Sequence, residues 1–154
     1  MTMTTRWIAG FILLAYNVAL VRLLVFKNVL IQMGPLRFRF DQEAGQANFL
    51  PFKTISSYLL GEHGRLISII NLTGNIALFI PIGFLAPFVF RRMTWQRSLA
   101  LGAAAGLAIE GMEVAFHTGV FDIDDMILNA IGVMAGYWMF SISAKQKRSH
   151  SKSV

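Results

Sequence analysis

Four long stretches of this chain, Trp7–Phe26, Leu66–Phe90, Ser98–Phe116 and Met126–Ile142, are almost wholly apolar, and they constrain the fold more than any other feature. A helix crossing the hydrocarbon core of a bilayer needs about 20 apolar residues at about 1.5 Å each. Each stretch approaches that length once ordinary tilt is allowed. Four spans consume roughly 80 residues, and a chain of 154 then has little left for an aqueous domain. With 55% hydrophobic and 14% charged residues, it is too apolar to remain a solvated coil and too poor in charge for a soluble domain. The expected fold is therefore all-α and polytopic: four transmembrane helices in a compact bundle over residues 1–144, followed by a basic tail over 145–154.

The net charge is +6, but the cations flank the apolar stretches, so they read as topology signals and no nucleic-acid partner is expected. Arg6, Arg91, Arg92, Arg97, Lys145, Lys147, Arg148 and Lys152 would share one face of the membrane. Lys27, Arg37, Arg39, Lys53 and Arg65 would share the other. The first set is larger and comes from shorter loops. Cations favour the inner face, so both termini are expected in the cytoplasm of a multi-pass cell-membrane protein, with the loop Lys27–Arg65 and the acidic loop His117–Asp125 outside. No small-x-small cleavage site follows the first apolar stretch, which reads as a retained span. In the long loop, Arg37-Phe38-Arg39-Phe40 alternates cation and aromatic. Pro51 followed by Phe52, Ile55 and Leu59 predicts a short proline-initiated helix. That helix is either interfacial or re-entrant, or it simply packs the loop on the bundle.

Polar side chains are costly in hydrocarbon, so each one inside a span calls for a partner or a function. The first span holds Asn17 and Arg22, the second Asn71 and Asn75, the third Glu110 and Glu113, and the fourth begins with Asp124 and Asp125 and carries Asn129. Counted at helical rise from the outer ends, Arg22, Asn71, Asn75, Glu110 and Asn129 all lie about 5–13 Å deep. They are expected to form one buried polar site open to the external face. The predicted ligand-binding residues are Arg22, Asn71, Asn75, Glu110, Glu113, Asp122, Asp125 and Asn129. Acid–base candidates are Glu110, Glu113, Asp124 and Asp125.

Each of these residues also has a purely structural reading. Glu110 and Glu113, three residues apart, repel in a low dielectric unless one is protonated or a cation intervenes. Arg22 is the expected partner, either as a structural lock or as part of a site; alternatively it snorkels to the surface. Gly102-x-x-x-Gly106 and Gly132-x-x-x-Gly136 are expected to be helix-packing motifs. Asp122 or Asp124 suits the cap of the fourth helix. An EF-hand is excluded because Met126 and Ile127 stand where oxygen ligands and the turn glycine belong. His117 lies one turn after Glu113, but no metal and no cofactor are expected, and His63 and His150 read as loop residues. Pro81 and Gly83 interrupt the second span and either shape a cavity by kinking it or relieve its length. Cysteine is absent, which removes disulfides, thiolate metal sites and Cys nucleophiles together.

The stretches Asn71–Phe84, Ile109-Glu110 and Phe121–Gly132, with Asn48-Phe49-Leu50-Pro51-Phe52 in the first loop, together resemble the VanZ-like membrane proteins. The likeness runs from the first span through Tyr137. It departs at Glu113, where the family often has Gln, and at His117–Phe121, where the family often has an Arg ahead of the Asp-x-Asp-Asp stretch. The resemblance implies a role in low-level resistance to teicoplanin-type lipoglycopeptides.

Three classes of function follow from the residues and the resemblance. The first is a non-enzymatic protein that binds an amphiphile at the outer leaflet, whether a membrane lipid, a lipid-linked cell-wall precursor or the glycopeptide antibiotic itself. The second is an enzyme acting on such a lipid through Glu and Asp acid–base residues, although no nucleophile stands out. The third is a small proton-coupled transporter, which at this size would need a homo-oligomer.

Overall fold

The computed structural model describes residues 3–25, 47–60 and 65–150. The described residues form five helices: α1 Met3–Val25, α2 Lys53–Leu59, α3 Arg65–Val89, α4 Trp95–Ala115 and α5 Ile123–His150. Four of them are long and apolar enough to cross a bilayer, over Met3–Val25, Ser68–Val89, Trp95–Ala115 and Ile123–Gln146. The protein is an all-helical, multi-pass membrane bundle. Lys27, the Arg37–Phe40 segment and His63 lie outside the described residues.

The helices extend beyond the apolar stretches at particular ends, for local reasons. α4 begins at Trp95 because Thr94, in extended backbone, caps it: its Oγ1 accepts from Arg97 N at 3.3 Å. α5 starts at Ile123, and Asp122 supplies its cap, with Oδ1 accepting from Asp124 N at 2.9 Å. At its other end α5 runs through Lys145 to His150, so the basic segment begins as a continuation of the helix.

α5 packs chiefly on α3 and α4. The predicted glycine motifs are where backbones meet. Gly132 and Gly136 lie against the carbonyls of Ile76 and Ile80 on α3, and Gly83 of α3 lies against the carbonyl of Val133. Gly102 and Gly106 of α4 face Ala130 and Met126 of α5. These pairings make α3 and α5 run in the same direction and α4 run against them. Small residues at such crossings let dispersion act between helices in a solvent where no hydrophobic drive exists. Phe79, Ile82, Ile109 and Val133 fill the centre, with Leu20 and Val25 of α1 closing it.

α3 is continuous through Pro81 and Pro87. Pro81 has no N–H for the carbonyl of Ala77. At the neighbouring carbonyl, Leu78, Tyr16 of α1 donates its hydroxyl at 2.8 Å, so the proline region of α3 is where α1 attaches. At the far end Arg6 Nη2 donates to the carbonyl of Val89 at 3.2 Å, placing a cation on the carboxyl end of α3. Phe84, Phe88 and Phe140 cluster there, with Phe88 and Phe140 edge to face at 4.9 Å.

Candidate functional site

The site lies at the end of the bundle formed by α2, the starts of α3 and α5 and the end of α4. Its scaffold is a clasp between two segments about 70 residues apart in sequence. Asn48 and Asp122 form an isolated parallel bridge: Asn48 N donates to the carbonyl of Phe121 at 2.8 Å, and Ile123 N to that of Asn48 at 3.0 Å. The side chains repeat the link. Asn48 Nδ2 donates to Asp122 Oδ1 and Thr54 Oγ1, both at 2.9 Å, and Thr54 Oγ1 donates to Asp122 Oδ2 at 2.6 Å. Phe49 stacks on Phe121 at 5.3 Å.

Asp124, fully buried, completes the clasp. Its carboxylate accepts from the backbone N–H groups of Phe52, Thr54 and Ile55, the last two at 2.7 and 3.1 Å. These are the orphan donors at the start of α2. Proline therefore does not initiate this helix, contrary to the expectation. Phe52 stands at the cap position with φ 67° and offers no side-chain cap, and a carboxylate from α5 does the capping. Asp124 thus acts as an anchor, and its oxygens are committed to backbone donors.

Next to the clasp sits a cluster of acids and amides. Glu110 and Glu113 of α4 are buried, at 2% and 4% exposure. Glu110 Oε2 accepts from Asp122 N at 2.8 Å, which ties α4 to the clasp. Glu110 lies within electrostatic reach of Asp125, Glu113 and Asp122. Asn75 Nδ2 of α3 donates to Asp125 Oδ1 of α5. Asn129, one turn further along α5, is buried, and its Oδ1 has no hydrogen-bond partner. Among the described residues no three His, Asp or Glu side chains are arranged to hold one metal ion.

Of the residues expected to share a site, Asn75, Glu110, Glu113, Asp122 and Asp125 come together, with Asn129 on the adjacent turn. Two do not. Arg22 is exposed in the last turn of α1, so it is not the counter-charge buried with Glu110 and Glu113. Asn71 turns to the clasp side, where its Nδ2 donates to the Tyr58 hydroxyl of α2 at 2.9 Å. Asn17 is satisfied within α1 by the carbonyl of Leu13 at 2.7 Å. Asn48, Thr54 and Tyr58 belong to the clasp but were not among the expected site residues. The Asn48–Phe52 similarity was the available signal for the first of them.

α4 ends in a turn that lies beside the cluster. Thr118 N and His117 N donate to the carbonyls of Glu113 and Val114 at 2.9 and 3.1 Å, a Schellman closure in which His117 takes the left-handed position at φ 55°. Gly normally holds that position. His117→Gly is expected to stabilise the fold by about 1 kcal/mol, read as a higher melting temperature in detergent. A lower one would mean that the exposed imidazole contributes more than the backbone loses. Beyond the turn an apolar cavity of about 450 Å³ opens between Phe49, Gly111, Val114, Gly119 and Phe121. A Cβ at Gly119 would stand 2.7 Å from Glu113 Oε2, so one wall of the cavity borders the acid cluster.

The sequence model of the VanZ/LLP1 family matches residues 11–144, which includes every residue of the clasp and the cluster. Protein VanZ of Enterococcus faecium is 25% identical over 134 residues, covering 87% of this chain and 74% of that protein. No solved structure matches. The chain belongs to the VanZ/LLP1 family.

Proposed function

We propose that the protein binds an amphiphile at the outer leaflet, with the ligand's polar end at Asn75, Glu110, Glu113, Asp122, Asp125 and Asn129 and its apolar part in the adjoining cavity. A membrane lipid, a lipid-linked wall precursor or a lipoglycopeptide would then be held at the membrane surface, lowering access of teicoplanin-type drugs to their target. One observation carries this reading: Gly119 lines an apolar cavity of about 450 Å³ and packs against Glu113 of the buried acid–amide cluster. Such a pairing of convergent polar groups with an apolar pocket is what amphiphile recognition needs. The distribution of Lys and Arg supports an outward-facing site and cytoplasmic termini. The Asp124 carboxylate, held by three backbone donors, favours a binding role over acid–base chemistry at that residue.

Expression of the chain in a susceptible host is expected to raise the inhibitory concentration of teicoplanin several-fold and leave that of vancomycin unchanged. Glu110→Gln should abolish the gain while the protein remains in the membrane. An unchanged inhibitory concentration for both drugs with the wild-type chain correctly inserted would overturn the reading.

A further inference from the structure

We infer that α2 lies in the plane of the bilayer at the boundary between headgroups and acyl chains, tied to the bundle by its polar groups and presenting Phe52, Leu59 and the flanking Phe49, Leu50 and Leu60 to lipid. It takes this place whatever the neighbouring acid–amide cluster binds.

Two ties set its height. At the amino end of α2 the backbone N–H groups of Thr54 and Ile55 donate to Asp124 at 2.7 and 3.1 Å. Near the carboxyl end the Tyr58 hydroxyl accepts from Asn71 Nδ2 at 2.9 Å. Asp124 and Asn71 each stand in the first turn of a membrane-crossing stretch, Ile123–Gln146 and Ser68–Val89. Those two stretches begin at one level, because Gly132 meets the carbonyl of Ile76 almost equally far along each. A helix of 7 residues is about 10 Å long, which matches the spacing of two packed helices. α2 therefore bridges the starts of α3 and α5 across the surface of the membrane.

Its side chains are distributed the wrong way round for water. Thr54, Tyr58 and the backbone donors turn to the bundle, and no residue of α2 is buried. Phe49, Leu50, Phe52, Leu59 and Leu60 are 61–78% exposed. A patch of that kind marks a surface that something apolar covers. On the neighbouring first turns of α3, Leu66, Ile69 and Ile70 are 54–71% exposed, and acyl chains surround that span. Among the described elements α2 touches α3 and α5 alone, so its apolar residues continue the lipid-facing surface of the bundle. Lys53 is exposed on the same helix. Its stem can lie along the apolar surface while its ammonium reaches the phosphates, as cations on interfacial helices do.

The chain has no cysteine, so single nitroxide labels can be placed on the full protein in phosphatidylcholine–phosphatidylglycerol vesicles. Leu50→Cys and Leu59→Cys carry the test. Ser56→Cys, exposed on the same helix, gives a second reading that removes no apolar side chain. Leu14→Cys, 65% exposed in the middle of α1, is the hydrocarbon reference, and Arg92→Cys in the turn between α3 and α4 is the aqueous one. All these positions are exposed, and an unchanged melting temperature shows that the label has not disturbed the fold. Collisions with oxygen and with a water-soluble nickel chelate are then measured by power saturation. Labels at Leu50 and Leu59 are expected to meet nickel several-fold less than at Arg92 while keeping oxygen collisions close to those at Leu14, at a depth of about 5–10 Å. Nickel collisions equal to those at Arg92 would place α2 in water and overturn the inference. Shielding from both reagents would overturn it as well, because a protein surface such as a second copy of the chain would then cover the patch.

Discussion

Gly136→Ala is expected to destabilise the bundle by at least about 3 kcal/mol, the upper part of the range for forcing atoms into a packed interior. A Cβ at that position would drive into the carbonyl oxygen of Ile80 and stand 2.7 Å from Phe84 N. Both obstacles are backbone, so no side chain can rotate away, and only separation of α3 from α5 relieves the overlap. Gly83→Ala meets the carbonyl of Val133 from the other side of the same interface and should behave alike. Gly10→Ala and Gly74→Ala, whose new Cβ atoms would meet nothing within 4 Å, serve as controls. They should be neutral or slightly stabilising, because alanine is the better helix former. Thermal unfolding of the four variants in one detergent gives the comparison. If Gly136→Ala melts with Gly74→Ala, the close approach of α3 and α5 is wrong.

Asp124→Asn should release α2 from the bundle while leaving the four spans in place. The substitution keeps the shape of the side chain but turns one acceptor oxygen into an NH₂ that faces backbone donors. Hydrogen bonds to a charged group contribute about 1.5–3 kcal/mol each, and at least one is lost outright while those remaining lose their charge. Amide exchange at Phe52, Thr54 and Ile55 is therefore expected to accelerate about 100-fold, equivalent to about 2.7 kcal/mol of local opening. Exchange in the centre of α3 and α5 should not change. Equal protection at Phe52, Thr54 and Ile55 in wild type and variant would mean that Asn48 and Thr54 hold the clasp without the carboxylate.

The spans were legible because their cause is local. A run of apolar residues long enough to cross hydrocarbon leaves the backbone no choice but helix, and Leu66–Phe90 needed no knowledge of its neighbours to be placed. The glycine motifs were legible for a related reason, since a small residue every fourth position has few uses other than close approach. Depth counting brought Asn75, Glu110 and Asn129 to one end of the bundle. It failed for Arg22 because depth fixes height and says nothing about azimuth: Arg22 shares the level but faces outward. Asn71 failed in a subtler way, since its partner Tyr58 sits on a short helix that depth counting does not include.

The capping of α2 could not have been read locally. Its donor groups are the backbone of Phe52, Thr54 and Ile55, and its acceptor lies about 70 residues later, so no window of sequence contains both. Asp122 and Asp124 were both candidates for the cap of their own helix, the usual use of an aspartate there. Asp122 takes that role, two residues before Asp124, whose carboxylate is left for α2.

The clasp also imposes an order on biosynthesis. The segment from Asn48 to Leu59 emerges from the ribosome long before Asp122 and Asp124, and its anchors arrive only with the last membrane helix. Until that helix has entered the bilayer, the short helix has no carboxylate to cap it and Asn48 has no strand partner. Closing this end of the bundle is accordingly a late event in translation, and nascent chains halted before Phe121 would carry the segment from Asn48 to Leu59 unsecured.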